Sequence, residues 1–134
     1  PPLQQQSSPN LGMPGSSPVR VARVYDPPDP TAGQRVLVDR LWPRGLSKQR
    51  AALTLWCKEV APSTELRRWY AHDPAKFTEF ATRYRSELRD DTHAAALAGI
   101  RQLMTTGPIV LLTASRRSDL SEAAVLESIL SGTP

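Results

Sequence analysis

Ile109-Val110-Leu111-Leu112 is an unbroken apolar run, set between the turn pair Gly107-Pro108 and the polar stretch Thr113–Asp119. A strand with one wet face alternates apolar and polar residues. A short run that does not alternate reads as a strand buried on both faces. Val36-Leu37-Val38 is a second such run, closed downstream by Pro43 and Gly45. Two strands buried on both faces require cover on either side of one sheet. The expected fold class is therefore α/β, a small three-layer sandwich with a mostly parallel central sheet covered by helices on both faces.

The remaining elements follow from local patterning. Val19–Tyr25 alternates and reads as a first strand, ended by the prolines of Asp26–Pro30. Gly33 lets the chain turn into the strand at 35–39. Whether these two strands pair as a hairpin or sit apart is left open by the spacing. Pro62-Ser63 introduces a short helix, with Ser63 capping Glu65 and Leu66, that carries Leu66, Trp69 and Tyr70 inward. Asp73-Pro74 starts another, whose face is Phe77, Phe80, Ala81, Tyr84 and Leu88. Glu79–Arg83 and Arg83–Glu87 stand at i, i+4 on its other side. A third helix, capped by Asp91 or Thr92, has Ala96, Leu97, Ile100, Leu103 and Met104 as its stripe. In the last, Asp119 and Glu122 have capping-box spacing, and Ala123, Leu126, Ile129 and Leu130 face inward.

A chain of 134 residues is long enough for one hydrophobic core. The expected division is a disordered tail over 1–18 and a single α/β domain over 19–132. The tail holds no aromatic or β-branched residue, so burial cannot offset its ordering entropy. Met13 within it can serve as a natural start, which makes residues 1–12 an upstream extension. The single cysteine, Cys57, excludes an intramolecular disulfide and fits a reducing compartment. No stretch reaches the roughly 18 apolar residues of a membrane span, and residues 1–18 lack signal-peptide features. A cytoplasmic protein that enters no membrane is expected.

The net charge of +4 and pI near 9.7 favour anionic partners in a general way. The charge is not spread evenly. Asp39, Arg40, Trp42 and Arg44 lie between the strand at 36–38 and its turn, and polar groups there are costly unless they face a cleft. Carboxyl ends of strands are where open α/β sheets bind ligands. Arg40 and Arg44 can take a small anion bidentately, and Asp39 can orient a guanidinium or act as general base. The bland reading is an ion pair of Asp39 with Arg40 that closes the strand end. Trp42 divides evenly between a stacking surface and a core aromatic.

Two further groups join the candidate site. Ser63 and Arg67 stand at a helix start, where free N–H groups favour an anion, although capping alone explains Ser63. Thr113, Ser115 and Arg116 leave the buried strand at 109–112, in the usual place for a phosphate or carboxylate cradle. No Gly-rich loop signals a nucleotide, and no cofactor is assigned. His72 and His93 lack metal-ligand spacing and read as surface residues, so no metal is expected. Cys57 reads as a small buried residue, and Lys58 as an exposed lysine. No nucleophile–base pair is legible, so no reaction is named. The rival function is nucleic-acid binding, because Arg35, Arg40, Arg44, Lys48 and Arg50 surround Trp42 with only Asp39 as an acid.

The run Arg23-Val24-Tyr25-Asp26-Pro27, followed by Arg35–Gly45, resembles the YeaO-like family of bacterial proteins, a branch of the DUF488 group of unknown function. Trp56, Lys58-Glu59, Pro62–Arg67, Phe80, Tyr84 and Glu87-Leu88 continue the resemblance over roughly residues 20–131. It implies an α/β fold and no established activity. One departure stands out. After its last strand the family usually carries His-Asn, or Cys-His-Arg in the wider group, where this chain has Ser121-Glu122.

Overall fold

The computed structural model describes residues 18–29 and 31–132; the tail expected over 1–18 lies outside them, Pro18 apart. Four strands form one sheet: β1 (Val19–Arg23), β2 (Gln34–Leu37), β3 (Leu55–Trp56) and β4 (Ile109–Thr113), in the order β1-β4-β2-β3. Every pairing is parallel, with Val19 opposite Ile109, Gln34 opposite Ile109 and Val36 opposite Leu55. The α/β expectation holds. β1 and β2 sit apart, because β4 lies between them. The crossing from β2 to β4 is close: Gly33 has φ +108°, and a Cβ there would lie 2.3 Å from the Pro108 carbonyl oxygen.

β4 is buried along its whole length, as its composition demands. Its odd and even residues feed different cores. Ile109 and Leu111 join Val19, Val36 and Val38 under the helices α2 (Thr64–Tyr70), α3 (Phe77–Glu87), α4 (Asp91–Met104) and α5 (Glu122–Leu130). Val110 and Leu112 join Val24, Leu37 and Leu46 on the other face. That second face is covered thinly, by the single turn α1 (Lys48–Ala51) and irregular chain carrying Trp42, Leu53 and Trp56. Arg35 also lies there, buried, its Nε donating to the Ala51 carbonyl at 2.8 Å.

Several expected boundaries move for local reasons. α3 is preceded by a 3-10 turn over Pro74–Lys76, capped by Asp73 as its proline pair suggests. α4 is capped by Asp90, not Asp91 or Thr92; its carboxylate accepts from the His93 N–H. The Asp119–Glu122 capping box does not form. Asp119 instead takes a two-point contact from Arg117 at 2.9 and 3.0 Å, the chain makes a 3-10 turn over Ser118–Leu120, and α5 begins at Glu122. Arg83 pairs with Glu79, while Glu87 is taken by Ser63 rather than by Arg83. Cys57 is buried as expected, and burial pushes its thiol above the ordinary range.

Candidate functional site

Because β2 and β4 are parallel neighbours, the segments leaving them emerge side by side. Val38 N–H still donates to the Leu112 carbonyl, so Asp39 is the first residue free of the ladder. Its carboxylate turns across to β4, accepting from Thr113 Oγ1 and from the Ala114 N–H, each at 2.8 Å. Trp56 Nε1 donates to the Asp39 carbonyl at 2.8 Å, tying the end of β3 to the same point. Asp39 is thus fixed from three strand ends.

Beside it stands Glu122, at the start of α5. Thr113 Oγ1 lies 3.5 Å from Glu122 Oε2, so a single hydroxyl stands against both carboxyl groups. Part of Glu122 remains accessible at its surface, but its carboxyl group is enclosed. Burial first, and then the neighbouring Asp39, hold that carboxyl well above the ordinary range.

A cleft of about 320 Å³ opens over this pair. Asp39, Arg40, Trp42, Arg44, Arg67, Thr113 and Ser115 all line it, together with Tyr25, Tyr70, His72, Phe80 and Glu122. Arg40 is half-buried and does not pair with Asp39. Its Nη2 donates to the carbonyls of Ala61 (3.1 Å) and Pro62 (3.4 Å), and its Nε to Pro62 at 3.4 Å. These carbonyls fix the guanidinium without cancelling its charge. Arg44 and Arg67 are exposed on the rim. Among the described residues, no ion pair joins Arg40, Arg44 or Arg67 to a carboxylate.

The Ala61 carbonyl has a second neighbour. His93 Nε2 lies 2.9 Å from it, and His93 Nδ1 lies 2.8 Å from the Asp90 carboxylate. The expectation that His93 is a surface residue is thus corrected: it is buried behind Arg40, with an acceptor at each ring nitrogen. His72 is exposed as expected, yet it stands on the wall of the cleft.

Other candidates resolve differently. Ser63 caps α2, accepting from the Leu66 N–H at 3.1 Å while donating to Glu87 at 2.6 Å, and it does not line the cleft. Arg116 faces an adjoining hollow with Arg117 and Leu120. In the 113–117 segment two main-chain donors are already engaged. The Ala114 N–H is taken by Asp39 and the Ser115 N–H faces Thr113 Oγ1 at 3.2 Å, so neither is free for an anion. Trp42 packs in the smaller core, its Nε1 donating to the Leu46 carbonyl at 2.6 Å and its ring 5.3 Å edge-on from Trp56. The basic segment 35–50 is split, with Arg35 buried under α1 and Arg44 on the cleft rim.

Sequence reasoning missed Tyr25, Tyr70, His72 and Glu122 as cleft residues. For Glu122 a signal existed, since the chain departs from the family pattern at Ser121-Glu122. The family model described as "Inactive DUF488-N3 subclade" matches residues 18–133. The chain belongs to the DUF488 family. Its relatives place it in the YeaO-like branch. The uncharacterized protein Rv3073c of Mycobacterium tuberculosis (strain H37Rv) is 53% identical over 114 residues, covering 85% of this chain and 94% of its own. The uncharacterized protein Mb3100c of Mycobacterium bovis matches to the same extent. The uncharacterized protein YeaO of Escherichia coli K12 is 38% identical over 109 residues, 81% of this chain and 92% of its own. No solved structure matches the chain. Among the described residues, no helix is long and apolar enough to cross a membrane.

Proposed function

We propose that this DUF488-family chain binds a small anionic molecule in the cleft between the Asp39–Arg44 segment and the loop that follows β4. One observation carries the reading: Arg40 is held in place by main-chain carbonyls and has no carboxylate partner. A half-buried guanidinium left unneutralised is costly in the empty protein, and an anion repays that cost with charge-assisted hydrogen bonds. Arg44 and Arg67 line the same cleft and add to the positive field over it. The description of the matching subclade as inactive favours binding without turnover. The blocked N–H groups after β4 argue against a P-loop-like phosphate cradle, so arginine side chains are the anion contacts.

Thermal denaturation with a panel of phosphates, nucleotides and organic acids tests this. A ligand at a hundred times its Kd should stabilise the protein by about 2.7 kcal/mol. Arg40→Ala should lose that shift. A panel with no effect on either protein would reject the proposal. Tight, steeply salt-dependent retention of an oligonucleotide in its place would favour the nucleic-acid rival.

A further inference from the structure

We infer that the anion taken by this cleft also carries hydroxyl groups, so that its ligand is a polyol bearing an acidic group rather than a bare anion. The inference rests on the anion-binding reading above and refines it. A cleft for a bare anion needs only its guanidiniums. Here Asp39 and Glu122 line the same cavity as Arg40, Arg44 and Arg67. Two carboxyl groups beside an unaccompanied anion would oppose it by like-charge repulsion.

For a hydroxylated anion the same pair is an asset. The Asp39 carboxylate uses one lone-pair direction on each oxygen, for Thr113 Oγ1 and for the Ala114 N–H, and a carboxylate offers about four in all. Acceptor capacity therefore remains for hydroxyl donors. A vicinal diol, which donates from two neighbouring oxygens, matches those free acceptor directions. The anionic end would lie on Arg40, already fixed by Ala61 and Pro62. The carbon skeleton would lie against Trp42, Pro43 and Phe80. A cavity of about 320 Å³ stands at the small end of ligand sites, which span about 300–1,000 Å³. It suits a single sugar-sized molecule.

Isothermal titration of the full chain separates the two levels of the argument. The probes are inorganic phosphate against ribose 5-phosphate, acetate against gluconate, and uncharged ribose. In at least one pair the hydroxylated anion should bind roughly tenfold or more tightly than its bare counterpart, as added hydrogen bonds to a charged acceptor require. Ribose alone should give no measurable binding. The phosphate and carboxylate pairs identify which acidic group the guanidiniums prefer. In the isosteric variants Glu122→Gln and Asp39→Asn, with circular dichroism matching the parent, the ratio should fall toward one. Equal affinities within both pairs, or a ratio untouched by either variant, would overturn the inference while leaving anion binding intact. No binding of any probe would remove both.

Discussion

The ring layer beneath α2 and α3 and the cleft at the ends of β2 and β4 lie against each other, with Tyr70 and Phe80 belonging to both. In the ring layer every group is matched. Tyr70 and Phe80 stack at 4.3 Å and Phe80 and Tyr84 at 5.8 Å, while the Tyr70 and Tyr84 hydroxyls donate to the carbonyls of Leu120 and Val60. In the cleft the groups are ordered but unmatched. Arg40 is oriented without an acid, and Glu122 meets a second carboxyl where a donor would suit it. Groups left unmatched in an otherwise consistent fold are what a binding site would show, and this contrast is what the proposed function draws on. Substitutions should divide along the same line.

The largest losses belong to the matched side. Leu111 is fully buried and Phe80 nearly so. Leu111→Ala should cost about 2–5 kcal/mol and Phe80→Ala about 3–5 kcal/mol, through lost burial and the cavity left behind. Urea unfolding measures both. Losses below about 1 kcal/mol would mean that the ring layer is loosely packed and the contrast is illusory.

Asp39 stands between the two regimes. Its carboxylate serves the scaffold by satisfying the Ala114 N–H, and serves the cleft by facing Glu122. Asp39→Ala should cost about 1–3 kcal/mol for the donor left unpaired, less whatever is returned when Glu122 loses its neighbour. A smaller loss than for Leu111→Ala, with Glu122 titrating nearer the ordinary carboxyl range, would sharpen the boundary.

How much was legible beforehand follows the same division. β2 and β4 declared themselves because burial on both faces forces a continuous apolar run, and that run depends on nothing distant. β3 did not, being two residues long with Leu55 exposed. Asp39, Arg40 and Arg44 could be read as cleft residues because a strand end is a local feature. Glu122 was marked only by its departure from the family pattern, since its chemistry is set by Asp39, far away in the chain, and its spacing to Asp119 imitated a cap. His93 misled for a like reason: its neighbour Ala61 comes from another segment, so nothing near it in sequence announces burial.

Glu122 gives the next effect, and its sign is opposite. Its folded carboxyl is raised above its unfolded value, so the folded state holds a proton that the unfolded state releases. The stability tied to that proton is fully present below the unfolded value, about 4.3. It is lost as pH rises toward the raised folded value. Glu122→Gln removes this penalty. The variant should melt higher than the parent at neutral pH and show a flatter stability profile above about pH 4.3. A lower melting temperature at neutral pH, with the profile unchanged, would mean that Glu122 is an ordinary structural acid.

The smallest effect on stability should come from the residue most important to binding. Arg40→Ala removes hydrogen bonds to Ala61 and Pro62, but the Ala61 carbonyl keeps His93 as a neighbour and only Pro62 loses its donor. Against that loss stands relief from an unpaired, half-buried charge flanked by the like charges of Arg44 and Arg67. The two terms oppose each other, each on the order of 1 kcal/mol, so the melting temperature should hardly move. Had Arg40 been the buried partner of Asp39, its removal would strand a carboxylate at a cost of about 3–5 kcal/mol. The two cases are far enough apart for one urea titration to separate them. A loss of that size for Arg40→Ala would place Arg40 with the rings as scaffold. An unchanged melting curve, together with a lost response to anions, would place it in the cleft as a residue kept for its ligand.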